Sequence, residues 1–325
     1  MAVFIVRRLL QSVAVLVLMS MLVFVGVFAI GNPVDILIPP EASPDDRARA
    51  MAALGFDRPL WEQYGKFVVG LTRGEFGTSF IYRTSALELI LQRLPATLEL
   101  AVAAMLLSIV IGIPLGLWAG LKPDSFAGQA IMAGSILGFS LPTFWIGLML
   151  ILTFSVTLGW LPSTGRGATG ALLGVKFSFL TVDGLRHLAM PAVNLALFNL
   201  ALVIRLTRAG MREVMPSDYI RYAQAKGLSE RRVVLVHALR NILIPLVTVV
   251  GLEFGSLIAF AIITESIFSW PGTGKLIIDS IYVLDRPVMV AYLMIIVVLF
   301  IVINMVVDLL YAVIDPRIRL AEAKS

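Results

Sequence analysis

The residue types that support enzymatic chemistry are nearly absent from this sequence. The chain of 325 residues contains no cysteine, which excludes disulfides, thiolate metal ligands and cysteine nucleophiles. The two histidines, His187 and His237, are too far apart in sequence to form the paired ligands of an HExxH metal site. The chain also lacks a Gly-x-Ser-x-Gly turn, which exposes a serine nucleophile in many hydrolases. The sequence therefore predicts no catalytic residue and no metal site.

Two glycine-rich stretches resemble nucleotide-binding motifs, but neither fits its motif. Residues 271–275 end in Gly-Lys, yet a phosphate-binding loop needs glycine at position 269 and serine or threonine at position 276. This chain has Ser269 and Leu276 at those positions. Residues 165–170 match the spacing of a dinucleotide-binding loop without the preceding strand that such a loop requires, so we interpret them as a flexible loop. We therefore expect no cofactor in this chain.

Composition indicates a chain that lies largely in lipid. Hydrophobic residues make up 59% of the sequence and charged residues only 14%, whereas soluble domains have about 25% charged residues. Lysine and arginine (26) exceed aspartate and glutamate (21). The basic residues lie between apolar stretches rather than on one soluble face, which disfavours nucleic-acid binding and is typical of membrane topology.

Six apolar segments are long enough to cross a bilayer as helices, since one crossing needs about 20 residues. Pro114 and Pro142 should kink the second and third segments, because proline removes a backbone hydrogen-bond donor. Gly251 and Gly255 lie one helical turn apart in the fifth segment, which would allow close helix packing. The predicted class is an all-α polytopic membrane protein. The segments are Leu9–Ile30, Ala96–Gly120, Ala130–Leu158, Leu188–Leu206, Ile242–Ile263 and Val288–Tyr311.

Charge distribution predicts the orientation of these segments. Arg7 and Arg8 precede the first segment, and its apolar run is longer than that of a cleavable signal peptide. We therefore expect an uncleaved anchor with both chain termini in the cytoplasm, residues 31–93 outside and residues 207–241 inside. Eight basic and three acidic residues lie between Arg205 and Arg240, in accord with the positive-inside rule.

The segment at residues 31–93 is polar enough to fold outside the bilayer. Its composition predicts short helices at Asp45–Leu54 and Pro59–Leu71, with a turn at Gly74–Gly77. We expect a small extracytoplasmic segment that packs on the membrane part.

The segment from Pro216 to Asn241, which we call the 216–241 hairpin, has the most informative local pattern. Ser217 or Asp218 can cap a first short helix, and Ser229 can cap a second. Gly227 is placed to end the first helix in a left-handed conformation. The sequence therefore predicts two short helices joined at a glycine.

Side chains of the first helix suggest what this hairpin contacts. Ala223 and Gly227 share one face, where small side chains would let another backbone approach. Tyr219, Ile220 and Tyr222 offer apolar anchors beside basic residues, a combination typical of protein interfaces. The alternative is an amphipathic loop that lies on anionic lipid headgroups. Such a loop needs neither the central glycine nor two consecutive caps.

The hairpin resembles the coupling loop of ATP-binding-cassette (ABC) importer permeases, and most closely that of the B-type subunit of dipeptide and oligopeptide importers. Gly227 stands at the invariant glycine of that family, and the family's Glu-Ala-Ala falls on Arg221, Tyr222 and Ala223. The stretches that match the peptide branch are Asp218–Tyr219, Ala225–Ser229 and His237–Asn241.

Further matches to the same branch cover nearly the whole chain in order. They are Arg7–Leu10, Leu54–Leu60, Arg93–Leu100, Leu161–Gly165, Glu265–Gly272, Asp308–Tyr311 and Asp315–Arg317.

The resemblance implies a type I ABC importer permease fold in the bacterial inner membrane. Residues 1–94 would form the anchor and extracytoplasmic segment, residues 95–315 the permease core with the coupling loop at 207–241, and residues 316–325 a cytoplasmic tail. It also implies a second homologous permease subunit, two subunits that bind ATP and Mg²⁺, and an extracytoplasmic solute-binding protein. The coupling residues implied are Asp218, Tyr219, Arg221, Ala223, Ala225, Lys226, Gly227, Leu228, Ser229, Arg231 and His237.

The function expected from this resemblance is translocation of peptides or related small solutes by alternating access, with the hairpin as a rigid lever. The alternative is a stand-alone secondary transporter, which would need inverted repeats and coupling-ion sites on broken helices. No repeat between the two halves is evident.

One acid lies deep in a predicted span. Glu253 is near the middle of the fifth segment, and charge at membrane depth usually faces protein or water because its desolvation is costly. We hypothesise that it faces the translocation path, with Asn194 and Asn199 as weaker candidates. The alternatives are a structural ion pair or a neutral hydrogen-bonded acid for Glu253, and interhelical hydrogen bonds for the asparagines.

Overall fold

The structure, a computed structural model, describes residues 2–29, 43–54 and 57–314. The predicted tail at 316–325, the Asp315–Arg317 match and the start of the 31–93 segment lie outside the described residues. Most of the described chain is helical. The elements are α1 (Ala2–Ala29), α2 (Pro44–Leu54), α3 (Leu60–Thr72), α4 (Ala86–Leu121), α5 (Phe126–Ser140), α6 (Thr143–Leu150), β1 (Gly170–Leu172), β2 (Val175–Phe177), α7 (Val182–Val214), α8 (Asp218–Ala225), α9 (Glu230–Arg232), α10 (Leu239–Ile267), α11 (Thr273–Tyr282) and α12 (Arg286–Ile314).

Among the described residues, five helices are long and apolar enough to cross a membrane, and a bent helix pair makes six if it counts as one span. Each of the five long helices is longer than the apolar segment predicted for it, and α4 and α7 differ most. Helix α4 begins ten residues before Ala96, and α7 extends beyond Leu188–Leu206 at both ends. Both extensions carry charged residues, because helical hydrogen bonding continues past the apolar stretch that marks a span.

The third predicted span is broken, as Pro142 suggested. Helix α5 ends at Ser140, α6 starts at Thr143, and the two axes differ by 106°. Helix α6 continues as a π-helical stretch, Ile151–Thr157. Helix α4 runs through Pro114 without interruption, so the kink predicted at that residue stays a prediction. The two prolines thus have unequal effects: only Pro142 separates two elements.

Strands β1 and β2 add a feature absent from the all-α prediction. They pair antiparallel, with Gly170 opposite Phe177 and Leu172 opposite Val175. The two-residue connection at Leu173 and Gly174 has positive φ at both positions, which is the geometry that a tight hairpin turn requires.

The chain forms two compact units. The first comprises residues 1–95 and 271–302. In it, α1 packs on α3: Val23 is buried beside Phe67 and Leu71, and Ser20 Oγ lies 2.9 Å from Tyr64 Oη. Buried Asp285 accepts hydrogen bonds from Ser79 Oγ and from the Phe80 amide at 3.1 Å in the same unit. These contacts hold α3 and the residues around Ser79 within the first unit.

The second unit comprises residues 96–270 and 303–325, and its helices approach closely at glycines. On α4, a Cβ added to Gly116 would lie 2.6 Å from Thr207 Cβ of α7. On α10, a Cβ added to Gly251 would lie 2.7 Å from Val307 Cγ2 of α12. Both distances are too short for a side chain, so these glycines serve helix packing, as predicted for Gly251.

Candidate functional site

The 216–241 hairpin folds as two short helices around Gly227, as the sequence predicted. Helix α8 ends before Gly227, whose φ of 77° lies in the left-handed region that favours glycine. The second helix begins at Glu230 and continues as a π-helical stretch, Val233–Ala238.

The serine caps were predicted at the correct positions but not with the correct bonds. Ser217 and Ser229 are the N-cap residues, and neither hydroxyl accepts a capping hydrogen bond. Ser217 Oγ instead donates to the Val214 carbonyl at 2.5 Å. The bond goes back to the preceding helix because α7 ends only three residues earlier.

One face of the hairpin packs into the chain's own core. Ile220 and Ala223 are buried in a cluster with Val233 and Met211, and Leu228 packs against it. The close approach predicted at Ala223 is therefore made by the chain's own helices, and Ile220 is an apolar anchor to those helices rather than to a partner. The part that both residues play in ATPase coupling stays a prediction. Both residues attach α8 to the membrane helices, since α4, α7 and α10 all supply residues to the cluster or its edge.

The opposite face of the hairpin is open. Tyr222 is 63% exposed and Tyr219 44% exposed. Lys226 Nζ lies 4.5 Å from the centroid of the Tyr222 ring, and Tyr219 Oη accepts a hydrogen bond from Asn241 Nδ2 at 2.9 Å. Four other predicted residues, Asp218, Arg221, Ala225 and Arg231, are exposed, as are Gly227 and Ser229, whereas His237 is half-buried. This face joins aromatic rings with basic side chains.

A cavity of about 230 Å³ lies in the second unit, between α7 and α10. It brings together the three residues that sequence analysis selected for the translocation path: Glu253, Asn194 and Asn199. The remaining residues that line it are Thr143, Leu195, Phe198, Ser256, Leu257 and Phe260.

Helical spacing explains why these side chains meet. On α10, Glu253, Ser256, Leu257 and Phe260 recur every three or four residues and so share one face. On α7, the lining residues fall in two adjacent pairs four positions apart, again on one face. Thr143, the first residue of α6 after the break at Pro142, completes the wall.

Some polar atoms of the residues that line this cavity make hydrogen bonds, and others have no partner among the described residues. Asn194 is buried, and its Nδ2 donates to Thr264 Oγ1 at 3.0 Å. Its Oδ1 is buried without a hydrogen-bond partner among the described residues. The Glu253 carboxylate makes no hydrogen bond or ion pair with any side chain or backbone group that the structure describes. The cavity therefore presents acceptors that lack donors.

Comparison with known proteins assigns this architecture to a family. Residues 112–320 match the family of binding-protein-dependent transport system inner membrane components, and residues 1–101 match the N-terminal model of the same membrane component. The chain belongs to this family. It is therefore a multi-pass inner-membrane permease of an ABC importer, a transport subunit rather than an enzyme. A binding-protein-dependent importer of this kind also requires ATPase and solute-binding partners.

Individual relatives match over almost the full permease. The di/tripeptide transport system permease protein DppB of Pseudomonas aeruginosa is 42% identical, covering 97% of this chain and 98% of the relative. The oligopeptide transport system permease protein AppB of Bacillus subtilis is 40% identical, covering 98% and 100%. A solved structure of the MetNI methionine ABC transporter in an inward-facing conformation has a TM-score of 0.56 at 18% identity, covering 70% of this chain and 96% of that chain. That likeness shows the fold.

The permease also contains a buried ion pair that sequence analysis missed. Glu99 is 6% exposed and pairs with Arg166 at 2.5 Å. Its other oxygen accepts hydrogen bonds from the Ser178 and Phe179 amides, the latter at 2.9 Å. We call Glu99, Arg166 and Ser178 the Glu99 clasp. Residues 165–170 were predicted to be a flexible loop, but the clasp and a bond from the Gly165 amide to the Phe268 carbonyl at 2.8 Å hold them in place.

The Gly-Lys stretch of the permease has a structural role. Residues 273–275 form the first turn of α11, with Thr273 and Gly274 buried. Lys275 Nζ pairs with Asp279 at 2.8 Å, one turn along the same helix. The side chain of Lys275 therefore has an ion-pair partner on its own helix.

Proposed function

We propose that this permease imports dipeptides, oligopeptides or related small solutes. Relatives named for di/tripeptide, dipeptide and oligopeptide transport support this substrate class, at 42%, 39% and 40% identity over nearly the whole chain. The assembly we propose contains a second homologous permease subunit, two ATPase subunits that bind ATP and Mg²⁺, and an extracytoplasmic solute-binding protein.

The observation that carries the proposed mechanism is the two-sided packing of the 216–241 hairpin. Its inner face is buried against the chain's own helices through Ile220 and Ala223. Its outer face leaves Tyr219 and Tyr222 exposed beside basic residues. A segment that is anchored on one side and open on the other can transmit a push, because force on the open face moves the helices below it.

In the proposed cycle, the ATPase subunits bind the exposed face of the hairpin. Closure of the ATPase dimer then displaces the hairpin as a rigid lever and changes the side from which the cavity at Glu253 is accessible. Nucleotide must stabilise one of the two states more than the other, or no switching follows. The excess of basic residues between Arg205 and Arg240 supports a cytoplasmic hairpin and cytoplasmic chain termini.

Truncation of Tyr222 tests this role of the hairpin. Tyrosine is enriched among the few interface residues whose truncation costs about 2 kcal/mol or more, so we expect Tyr222→Ala to weaken the ATPase–permease association more than tenfold. Co-purification of the ATPase with the permease and ATP-dependent uptake of dialanine in liposomes would measure the loss. Tyr282→Ala is the matched control, because Tyr282 is 83% exposed and lies far along the chain from the hairpin.

Equal retention of the ATPase by Tyr222→Ala and the unaltered permease would contradict the proposed lever. An equal loss in Tyr282→Ala would also contradict it, since exposure of a tyrosine alone would then explain the effect.

A further inference from the structure

The cavity between α7 and α10 contains one charged group and is otherwise apolar or neutral. Glu253 is the sole ionisable residue among the described residues that line it. Of the eight other lining residues, four are apolar (Leu195, Phe198, Leu257 and Phe260) and four are neutral and polar (Thr143, Asn194, Asn199 and Ser256). The described lining therefore offers the carboxylate no cation to pair with.

The neutral polar groups of this cavity also favour a donor as ligand. Asn194 turns its amide nitrogen towards Thr264, so the carbonyl oxygen of its side chain has no partner. A buried acceptor without a donor costs about 1–3 kcal/mol. Glu253 when ionised can only accept hydrogen bonds. A ligand that carries N–H donors and one positive charge would satisfy the carboxylate of Glu253, the charged acceptor that lines this cavity.

We propose that this cavity binds the protonated amine of the solute, with the ammonium group at Glu253 and the apolar part of the solute against Phe198 and Phe260. This inference rests on the proposed function, in which a peptide supplies the amine at its N-terminus. An ammonium group has three donors and no acceptor, which fits a carboxylate that has no donor among the described residues. A solute carboxylate is excluded from the same position, because it would face Glu253 without a cation to pair with.

The volume of the cavity agrees with this assignment. At about 230 Å³ it holds the N-terminal part of a peptide rather than a whole oligopeptide, since sites for drug-sized ligands occupy about 300–1,000 Å³. The amine is the one group that all unmodified peptides present at that end. A site that binds the amine through Glu253 and contacts peptide side chains only through apolar residues can accept peptides of many sequences.

The absence of cysteine from the chain permits a direct test of the charge preference. Ser256 lies one helical turn from Glu253 on the same face of α10, so Ser256→Cys places a thiol inside the cavity. The assembled importer would be treated with 2-aminoethyl methanethiosulfonate, which carries an ammonium group, or with 2-sulfonatoethyl methanethiosulfonate, which carries a sulfonate. The mass of this subunit reports the rate of each reaction, and free cysteine supplies the intrinsic ratio of the two rates.

We expect the ammonium reagent to be favoured about tenfold beyond its ratio with free cysteine, because an ionised carboxylate a few ångströms away attracts the cation and repels the anion. The preference should fall to the intrinsic ratio in Glu253→Gln/Ser256→Cys. A ratio that does not change with Glu253→Gln, or no reaction with either reagent, would overturn the inference. The labelling needs no transport, so failure of the unaltered importer to take up dialanine would count separately, against the proposed peptide function.

Discussion

Two glutamates of the permease lie in its apolar helices and have opposite surroundings. Glu99 is enclosed by donors: the Arg166 guanidinium on one oxygen and the Ser178 and Phe179 amides on the other. Glu253 lines a cavity and has no donor among the described residues. Both occur in segments that a sequence shows only as apolar stretches with one acid.

The comparison separates two reasons for retaining a charge in a membrane protein. A carboxylate whose acceptor positions are filled by its own chain holds the fold together, and here it ties the 165–179 region to α4. A carboxylate without such partners does not stabilise the fold, and it is available to bind a ligand. The hydrogen-bond and ion-pair partners of an acid, rather than its depth in the membrane or its residue type, therefore distinguish a structural acid from a functional one.

The first prediction sharpens the structural half of this comparison and has the largest expected effect. Glu99→Gln leaves Arg166 without its counter-charge, and removal of one member of a buried ion pair costs about 3–5 kcal/mol. We expect a lower midpoint of thermal unfolding for the purified complex and a smaller yield of assembled permease.

Glu88→Gln is the matched control for Glu99→Gln, since it makes the same change on the same helix. Glu88 is exposed and accepts one bond from Gln92 Nε2 at 3.2 Å, so its loss should change stability by less than about 0.5 kcal/mol. If Glu99→Gln were no more destabilising than Glu88→Gln, the Glu99 clasp would not stabilise the fold.

Sequence analysis singled out Glu253 and drew no conclusion about Glu99. The resemblance at 216–241 and the proline at 142 predicted a hairpin and a break that the structure contains. Glu99 and Glu253 both stand out as single acids in long apolar stretches. Arg166, however, lies 67 positions from Glu99 within a glycine-rich stretch, and no local period connects the two.

The same limit applies to residues whose role depends on a neighbouring helix. Ala223 and Tyr222 are adjacent in the short helix α8, yet Ala223 is buried and Tyr222 is exposed. The sequence predicted the helix but not that its Ala223 face packs inside the chain, because the cluster that buries Ala223 includes residues distant in sequence. The glycines at 112, 116 and 120 carried a spacing signal that could have been found, since each is one turn from the next.

The second prediction concerns Asn194, which lines the cavity and also makes a hydrogen bond within the fold. Thr264→Val removes the acceptor for Asn194 Nδ2 while nearly preserving side-chain volume. A buried donor left unsatisfied costs about 1–3 kcal/mol, so the midpoint of thermal unfolding should fall by less than in Glu99→Gln. Thr264→Ser keeps the hydroxyl and should retain most of the stability.

That result would show that Asn194 stabilises the fold through the hydrogen bond of its amide nitrogen to Thr264. If Thr264→Val and Thr264→Ser were equally stable, the bond would contribute nothing, and the orientation of the Asn194 amide would have another cause.

The third prediction has the smallest effect on stability and the clearest effect on function. Glu253→Gln should shift the free energy of unfolding by less than about 0.5 kcal/mol, because no partner is lost and no cavity is created. Dialanine uptake by the assembled importer should nevertheless fall, since an amide cannot attract an ammonium group as a carboxylate does.

The form of the loss in Glu253→Gln is as informative as its size. The solute-binding protein is a separate chain, so its affinity for the peptide stays the same. The concentration of loaded binding protein at half-maximal uptake should therefore be unchanged, while the maximal rate falls. A variant that unfolds at a lower temperature and transports peptide at the normal maximal rate would reverse the comparison and make Glu253 the structural acid.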